Sequence, residues 1–277
     1  MRKVRARFAL WALAPGALMI RRDVSPPPAW ILISQIEHAR LAARLAEHWG
    51  AGEYAPLWPR RELLWAIEHH DDGWRQWERT PGVDPSNGRP RSFTEMEPAD
   101  SAAIWSASIE TAREAGPLEA YVVAGHFCVL ARRVRGWLSA EIRSEVVEPF
   151  LNRYESLMAG CFSTWQALDP VRNMRAAADL ALAQLQFFDV LSLWFCCSAA
   201  SEAEAVQAPA GPMLTLTPQG PECVDLAPWP LQVSRLDIEA EGRLVAAQCY
   251  ASREELAAAS AQSTRLRWQL HPGPARS

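Results

Sequence analysis

A run of histidines and aspartates at the end of an apolar helix constrains this 277-residue chain more than any other stretch. In order, it reads Ile67, Glu68, His69, His70, Asp71, Asp72, Gly73 and Trp74. Leu63, Leu64 and Ile67 share one side of a helix predicted over about residues 60 to 72. The same stripe continues to His70 and Asp71 one turn later, so these two side chains are predicted to be buried.

Three more ionisable residues fall on apolar helical stripes elsewhere in the chain. They are His38, His126 and Asp189, each in a different predicted helix. Burying a carboxylate without a partner costs on the order of several kcal/mol, so this many buried groups need mutual compensation. A divalent cation provides it, because imidazole and carboxylate are ligands for zinc, manganese, iron and magnesium.

The order of these residues resembles the H…HD…D signature of the HD superfamily of metal-dependent phosphohydrolases. The resemblance covers roughly residues 30 to 195 and includes the glycine that follows the pair, Gly73. It implies one or two divalent ions held by His38, His70, Asp71 and Asp189, with His126 as the extra histidine of two-metal members. Residues 33–50 and 67–93 also resemble a bacterial family of unknown function.

On this interpretation the metal activates a water molecule against a phosphoester, and residues beside it assist. Asp72 and His69, which point away from the buried stripe, are predicted to act as general acid or base at the mouth of the site. Arg89 and Arg91 lie in a loop rich in turn formers over about residues 80–98, where they are predicted to meet an anionic substrate. The alternative for this loop is a solvated connector.

Aromatic residues also cluster around the motif. Trp65, Trp74 and Trp77 are close to it in the sequence, and Trp74 is predicted to contact the substrate, stacking on a nucleobase or another ring. The alternative for all three is core packing.

The predicted fold is mainly α: an HD-like helical bundle with a small C-terminal β-rich subdomain. Helices are predicted over about residues 30–49, 60–72, 99–115, 117–136, 139–168 and 171–198. Residues 19–200 form the predicted helical domain, 201–212 a linker, and 213–277 the β-rich part, with a hairpin turn at Glu241-Gly242. The β-rich part is expected to cover the helical core or to make a homodimer contact.

Residues 1–18 combine basic and apolar character, which is typical of an export leader or of a start codon placed too far upstream. Beyond them, no stretch reaches the roughly 18 uninterrupted apolar residues of a membrane span. The net charge of −4 gives no basic field for nucleic acid. Six cysteines without C-x-x-C spacing indicate a cytoplasmic protein without disulfides.

Three functions compete on these grounds. The first is a metal-dependent hydrolase of the HD type that acts on a phosphorylated small molecule. The second is a di-iron oxygenase with the same ligand set, and the third is a non-catalytic helical module that binds a metabolite or a partner. In the third case the histidines and aspartates form only a buried hydrogen-bond network, so metal content separates it from the other two.

Overall fold

A curled sheet and a layer of helices share one core in this chain, as a computed structural model shows. The structure describes residues 19–24, 27–79, 81–197, 202–259 and 262–274. The predicted leader over residues 1–18 lies outside these ranges.

The sheet has seven strands within the described residues and uses both ends of the chain. The strands are β1 (Ile20–Val24), β2 (Ala29–Ile33), β3 (Glu204–Gln207), β4 (Met213–Gly220), β5 (Cys223–Ala227), β6 (Leu236–Ala246) and β7 (Gln262–Pro272). Their order is β1-β2-β6-β7-β5-β4-β3, and neighbours are antiparallel except for the parallel pair β5 and β7. The sheet curls into a half-barrel.

The expected mainly α bundle with a separate C-terminal β-rich subdomain is therefore wrong, because the fold is mixed α/β. Strand β2 pairs with β6, with Ala29 opposite Ala246, which joins the N-terminal strands to the C-terminal ones in one sheet. Every residue of β2 is buried. A short, wholly apolar run does not distinguish a buried strand from a buried helix, and here pairing partners more than 200 residues away decide it.

Two local expectations fail for related reasons. The first helix is predicted to begin near Trp30, but Trp30 lies in β2. The helix starts only after Ser34, because the Ser34 side chain caps it by accepting a hydrogen bond from the Glu37 amide (3.0 Å). The predicted turn at Glu241-Gly242 lies inside β6, which continues through it paired with both neighbours. Residues 204–207 of the expected linker form β3.

The helices follow the predicted order more closely. They are α1 (Gln35–Glu47), α2 (Arg60–His69), α3 (Arg75–Glu78), α4 (Pro98–Ala115), α5 (Pro117–Arg135), α6 (Ala140–Ile142), α7 (Glu148–Leu168), α8 (Arg175–Cys197) and α9 (Arg253–Ala258). A 3-10 turn over Asp72–Trp74 precedes α3, and a π-helical turn over Arg143–Val147 precedes α7.

Helix α5 lies at the centre of the helical layer. Residues 118–128 are buried all round, and the helix packs against α2, α4, α7 and α8. Helix α1 packs against α2 and α8 and also contacts β6 of the sheet. The elements that carry the inward histidines and aspartates are thus direct neighbours.

Helix α8 combines high apolarity with a place in this core. By length and composition it could cross a membrane, but more than half of its most apolar stretch is buried inside the fold. Core helices commonly show this combination.

The end of α2 is held against α4 by a close approach at Gly73. Its amide donates a hydrogen bond to Ser108 Oγ (2.9 Å), and a Cβ placed there would lie 2.1 Å from the carbonyl oxygen of Ile104. Only a residue without a side chain allows this contact, which explains the glycine two residues after the His-Asp pair.

We expect Gly73→Ala to destabilise the protein by about 2–3 kcal/mol, because the added methyl group forces α4 away from the motif. The matched control is Gly160→Ala, in the exposed face of α7, where a Cβ meets no atom within 4 Å. That change is expected to stabilise by roughly 0.5–1 kcal/mol through helix propensity. Urea denaturation measures both, and equal effects of the two changes would contradict the close approach.

Candidate metal centre

Side chains from four helices and the turn after α2 converge at one buried point. Helix α1 supplies His38. His70 caps the C-terminal end of α2, and Asp71 follows it in the turn. Helix α5 supplies His126, and α8 supplies Asp189. All three histidines are at most 3% exposed, so this end of the helical layer excludes bulk solvent from the imidazole rings.

The inner nitrogens of His38 and His70 face both carboxylates. His38 Nε2 lies 2.9 Å from Asp71 Oδ2 and 3.6 Å from Asp189 Oδ1. His70 Nε2 lies 3.4 Å and 3.5 Å from the same two oxygens. Four polar atoms from three separate segments therefore surround one small volume.

Ser192 determines which nitrogen of His38 carries the proton. Its hydroxyl donates to the carbonyl oxygen of Asp189 (2.9 Å), so its oxygen is left to accept from His38 Nδ1 (2.8 Å). A proton on Nδ1 leaves Nε2 of the neutral ring as a lone pair. That lone pair is directed at the Asp71 carboxylate.

His70 has the same arrangement with a different partner. Its Nδ1 donates to the carbonyl oxygen of Ile67 (2.8 Å), one turn back in α2. Its Nε2 is buried and has no hydrogen-bond partner among the described residues. In the neutral ring this second lone pair also faces carboxylate oxygens, so positive charge between the four atoms, either a proton on Nε2 or a metal ion, would stabilise the cluster.

The charges of the cluster favour bound positive charge, and without a metal ion the proton on His70 provides it. Burial lowers the pKa of His70, but the Asp71 and Asp189 carboxylates raise it further, to about 9. Burial raises the pKa of Asp189, yet contact with His70 and the charges of the other histidines hold it well below its ordinary value. Burial likewise opposes ionisation of Asp71, and His70 and His38 lower its pKa. Both carboxylates thus stay ionised and attract positive charge.

His126 completes the inner wall but stands apart from the four atoms. Its ring centroid is 5.3 Å from that of His70, and its buried Nδ1 has no partner among the described residues. Burial lowers its pKa to about 4, so the ring is neutral near pH 7. A neutral imidazole with an unpaired nitrogen is suited to act as a ligand.

The spacing of the donor atoms fits a shared ion. Two ligands at about 2.0–2.2 Å from one metal ion are roughly 2.8–3.6 Å apart, and the observed separations run from 2.9 to 3.6 Å. Ligand atoms of His38, His70 and Asp189 all lie within 4.8 Å of one another. These three residues could hold a metal ion.

Glu78 secures the start of α1, and so the position of His38. This carboxylate accepts a hydrogen bond from the Gln35 amide at the first turn of the helix. Burial raises its pKa to about 8, against the lowering effect of the backbone hydrogen bonds.

A cavity of about 710 Å³ opens beside the cluster and includes His38, Asp71, His126 and Asp189 in its wall. Apolar side chains make up most of the rest of the lining, and the aromatic ones are Trp74, Phe93, Trp105, Phe127, Phe187 and Trp194. Trp74, predicted to contact a substrate, is therefore in a position to do so, although it also packs against Met96 and Ile104.

The other predicted site residues lie elsewhere. His69 stacks on Trp65 at 4.5 Å and contacts Asp72 (3.0 Å), which also accepts from Arg75 (2.7 Å). Neither His69 nor Asp72 lines the cavity.

Arg89 and Arg91 are also outside the cavity lining. Their loop folds against the sheet through backbone hydrogen bonds. The Phe93 amide donates to the Met19 carbonyl oxygen, and the Tyr250 amide donates to the Gly88 carbonyl oxygen. The structure does not bring these two arginines to the cluster.

Two residues near the cluster were not singled out from the sequence. Ser192 lies three residues after Asp189 on α8, and Arg133 lies seven residues after His126 on α5 and lines the cavity. Both follow a ligand candidate at a spacing that returns to the same helix face, which is the signal that could have found them.

Comparison with known proteins adds a family but no activity. No curated protein and no solved structure matches the chain. The model of a protein family of unknown function, DUF3891, matches residues 19–247, which span the β1-β2 hairpin, the whole helical layer and the sheet as far as the end of β6. The chain belongs to the DUF3891 family.

Proposed function

We propose that the chain is a metal-dependent hydrolase of the HD type that acts on a phosphorylated small molecule. One observation carries the metal: the outer nitrogens of His38 and His70 both have hydrogen-bond partners, so in the neutral rings that a metal ion needs, both inner lone pairs face two ionised carboxylates. The order of these residues in the chain, which resembles the H…HD…D signature, supports the reaction class.

Each residue of the cluster and the cavity wall has a distinct role in this proposal. His38, His70, Asp71 and Asp189 hold the ion, and His126 is placed beside them as a further ligand. A divalent ion at this position supplies Lewis-acid activation of water and of a phosphoryl oxygen. The aromatic walls of the cavity exclude bulk water, which strengthens every charge interaction inside. The proposal gives His69 and Asp72 no part in proton transfer, because neither lines the cavity.

The second candidate is an iron-dependent oxygenase, and the cavity wall favours it. Apolar and aromatic side chains make up most of the lining, whereas phosphate sites usually present several cationic or backbone donors. Both candidates need the same ion site and differ in the metal and in the reaction.

We expect protein purified without added metal to contain a bound divalent ion. His70→Ala and Asp189→Ala are each expected to lower the metal affinity by more than about 100-fold, since each removes a ligand atom. The matched control is His69→Ala, which deletes the adjacent histidine outside the cluster and is expected to keep the wild-type metal content. Elemental analysis measures all four proteins. Wild-type metal content in His70→Ala would refute the ligand assignment.

Ser192→Ala is expected to weaken metal binding by about 10- to 100-fold while the fold is retained, because His38 loses the acceptor that fixes its ring. Ser192→Thr keeps the hydroxyl and is expected to restore most of the affinity. Competition with a metal-sensitive chelating dye measures the three affinities. An unchanged affinity in Ser192→Ala would show that the hydroxyl does not orient the ligand.

Turnover separates the two enzymatic candidates. For the hydrolase we expect metal-loaded protein to release nitrophenolate from bis(p-nitrophenyl) phosphate, and Asp189→Ala to lose this activity. Bound iron with a visible absorption band and no release of nitrophenolate would overturn the hydrolase in favour of the oxygenase.

A further inference from the structure

The geometry points to a substrate that carries, besides its reacting phosphoryl group, an apolar body and a second anionic group, which Arg133 binds at the outer end of the cavity. This inference rests on the proposed function, which places the reacting group of the substrate at the His/Asp cluster. It adds the chemistry of the rest of the molecule and assigns a specificity residue.

Arg133 is a cation without an anionic partner among the described residues. Its neighbours on α5 are paired: Arg132 contacts Glu155 (2.6 Å), and Arg135 contacts Glu148 (2.7 Å). Arg133 forms no ion pair with any residue in the described part of the chain, and it is the only arginine there that lines the cavity. Its guanidinium group is exposed at the rim and free to bind an incoming anion.

The position of Arg133 along α5 separates it from the cluster. His126, Leu130 and Arg133 follow each other at four- and three-residue spacings, so they share one helix face, and all three line the cavity. Seven residues of α-helix rise about 10 Å. The cavity therefore runs along α5 from the metal centre, past an apolar side chain, to a single positive charge.

The wall between these two ends selects an apolar body. Trp105 stacks on Phe127 (5.6 Å between centroids), and both line the cavity together with Leu193 and Trp194. Burial of an apolar group against this surface is favourable, and the surface offers few hydrogen-bond partners to a sugar-like body.

The charges at the two ends orient the bound molecule. Among the described residues that line the cavity, Asp71 and Asp189 are the only carboxylates, and they lie at the inner end. The single cation lies at the outer end. An anionic group that does not react is therefore drawn to Arg133.

Three probes test this arrangement by calorimetry on the full-length protein as purified. They are naphthalene-2-sulfonate, with an apolar body and a charge; 2-naphthol, with the body alone; and methanesulfonate, with the charge alone. We expect the sulfonate with the naphthalene ring to bind about tenfold more tightly than 2-naphthol, and methanesulfonate more than about 100-fold more weakly than naphthalene-2-sulfonate.

Arg133→Gln is expected to lower the affinity for naphthalene-2-sulfonate about tenfold and to leave the affinity for 2-naphthol unchanged. The matched control is Arg132→Gln, next to it on α5 and already paired with Glu155, which is expected to change neither affinity. Unchanged sulfonate binding in Arg133→Gln, or an equal loss for both naphthalene probes, would overturn the assignment.

His70→Ala separates this inference from the proposed function. If the variant and the wild type both lack metal but bind the sulfonate through Arg133, the metal-dependent function fails and the ligand class stands. If the wild type holds metal, and the sulfonate affinity falls in His70→Ala but not in Arg133→Gln, the anion binds at the metal and the assignment of Arg133 fails.

Discussion

The contact of two buried carboxylates with the inner faces of two histidines is the interaction on which the helical layer depends. Asp71 and Asp189 are taken out of bulk water, which is tolerable only because His38 and His70 meet them at 2.9–3.6 Å. The outer nitrogens of both rings are held by Ser192 and by a backbone carbonyl. The rings are thus oriented from outside, with their inner nitrogens directed at the carboxylates, which is an arrangement that could hold a metal ion.

The surrounding fold serves to bring four segments to this point. The close approach at Gly73 presses the end of α2 onto α4, and Glu78 secures the first turn of α1. Residues 118–128 of helix α5 are buried all round between its neighbours, so His126 has little freedom to move. The sheet closes the same core through contacts with α1 and α8. Because the five ligand candidates come from four separate segments, the site exists only when these segments are packed together.

Most helices and the inward direction of the site residues could be predicted from the sequence. Apolar spacing at three and four residues separated His70 and Asp71, which are buried, from His69 and Asp72, which form their own contacts outside the cavity. The same spacing failed at residues 30–33, where a wholly apolar run forms β2 of the sheet. It also said nothing of where the loop with Arg89 would fold, since turn formers show that a loop exists without showing what it touches.

What the sequence by itself determined is therefore the face on which each ionisable residue lies, because helical periodicity is a local property of neighbouring residues. Only the tertiary structure decided that β2 pairs with β6 more than 200 residues later, that Ser192 orients His38, and that Arg133 lies at the cavity rim. These facts depend on which surfaces of distant segments meet. A local pattern does not predict which surfaces meet, because the hydrophobic effect favours burial of a side chain without specifying its partner.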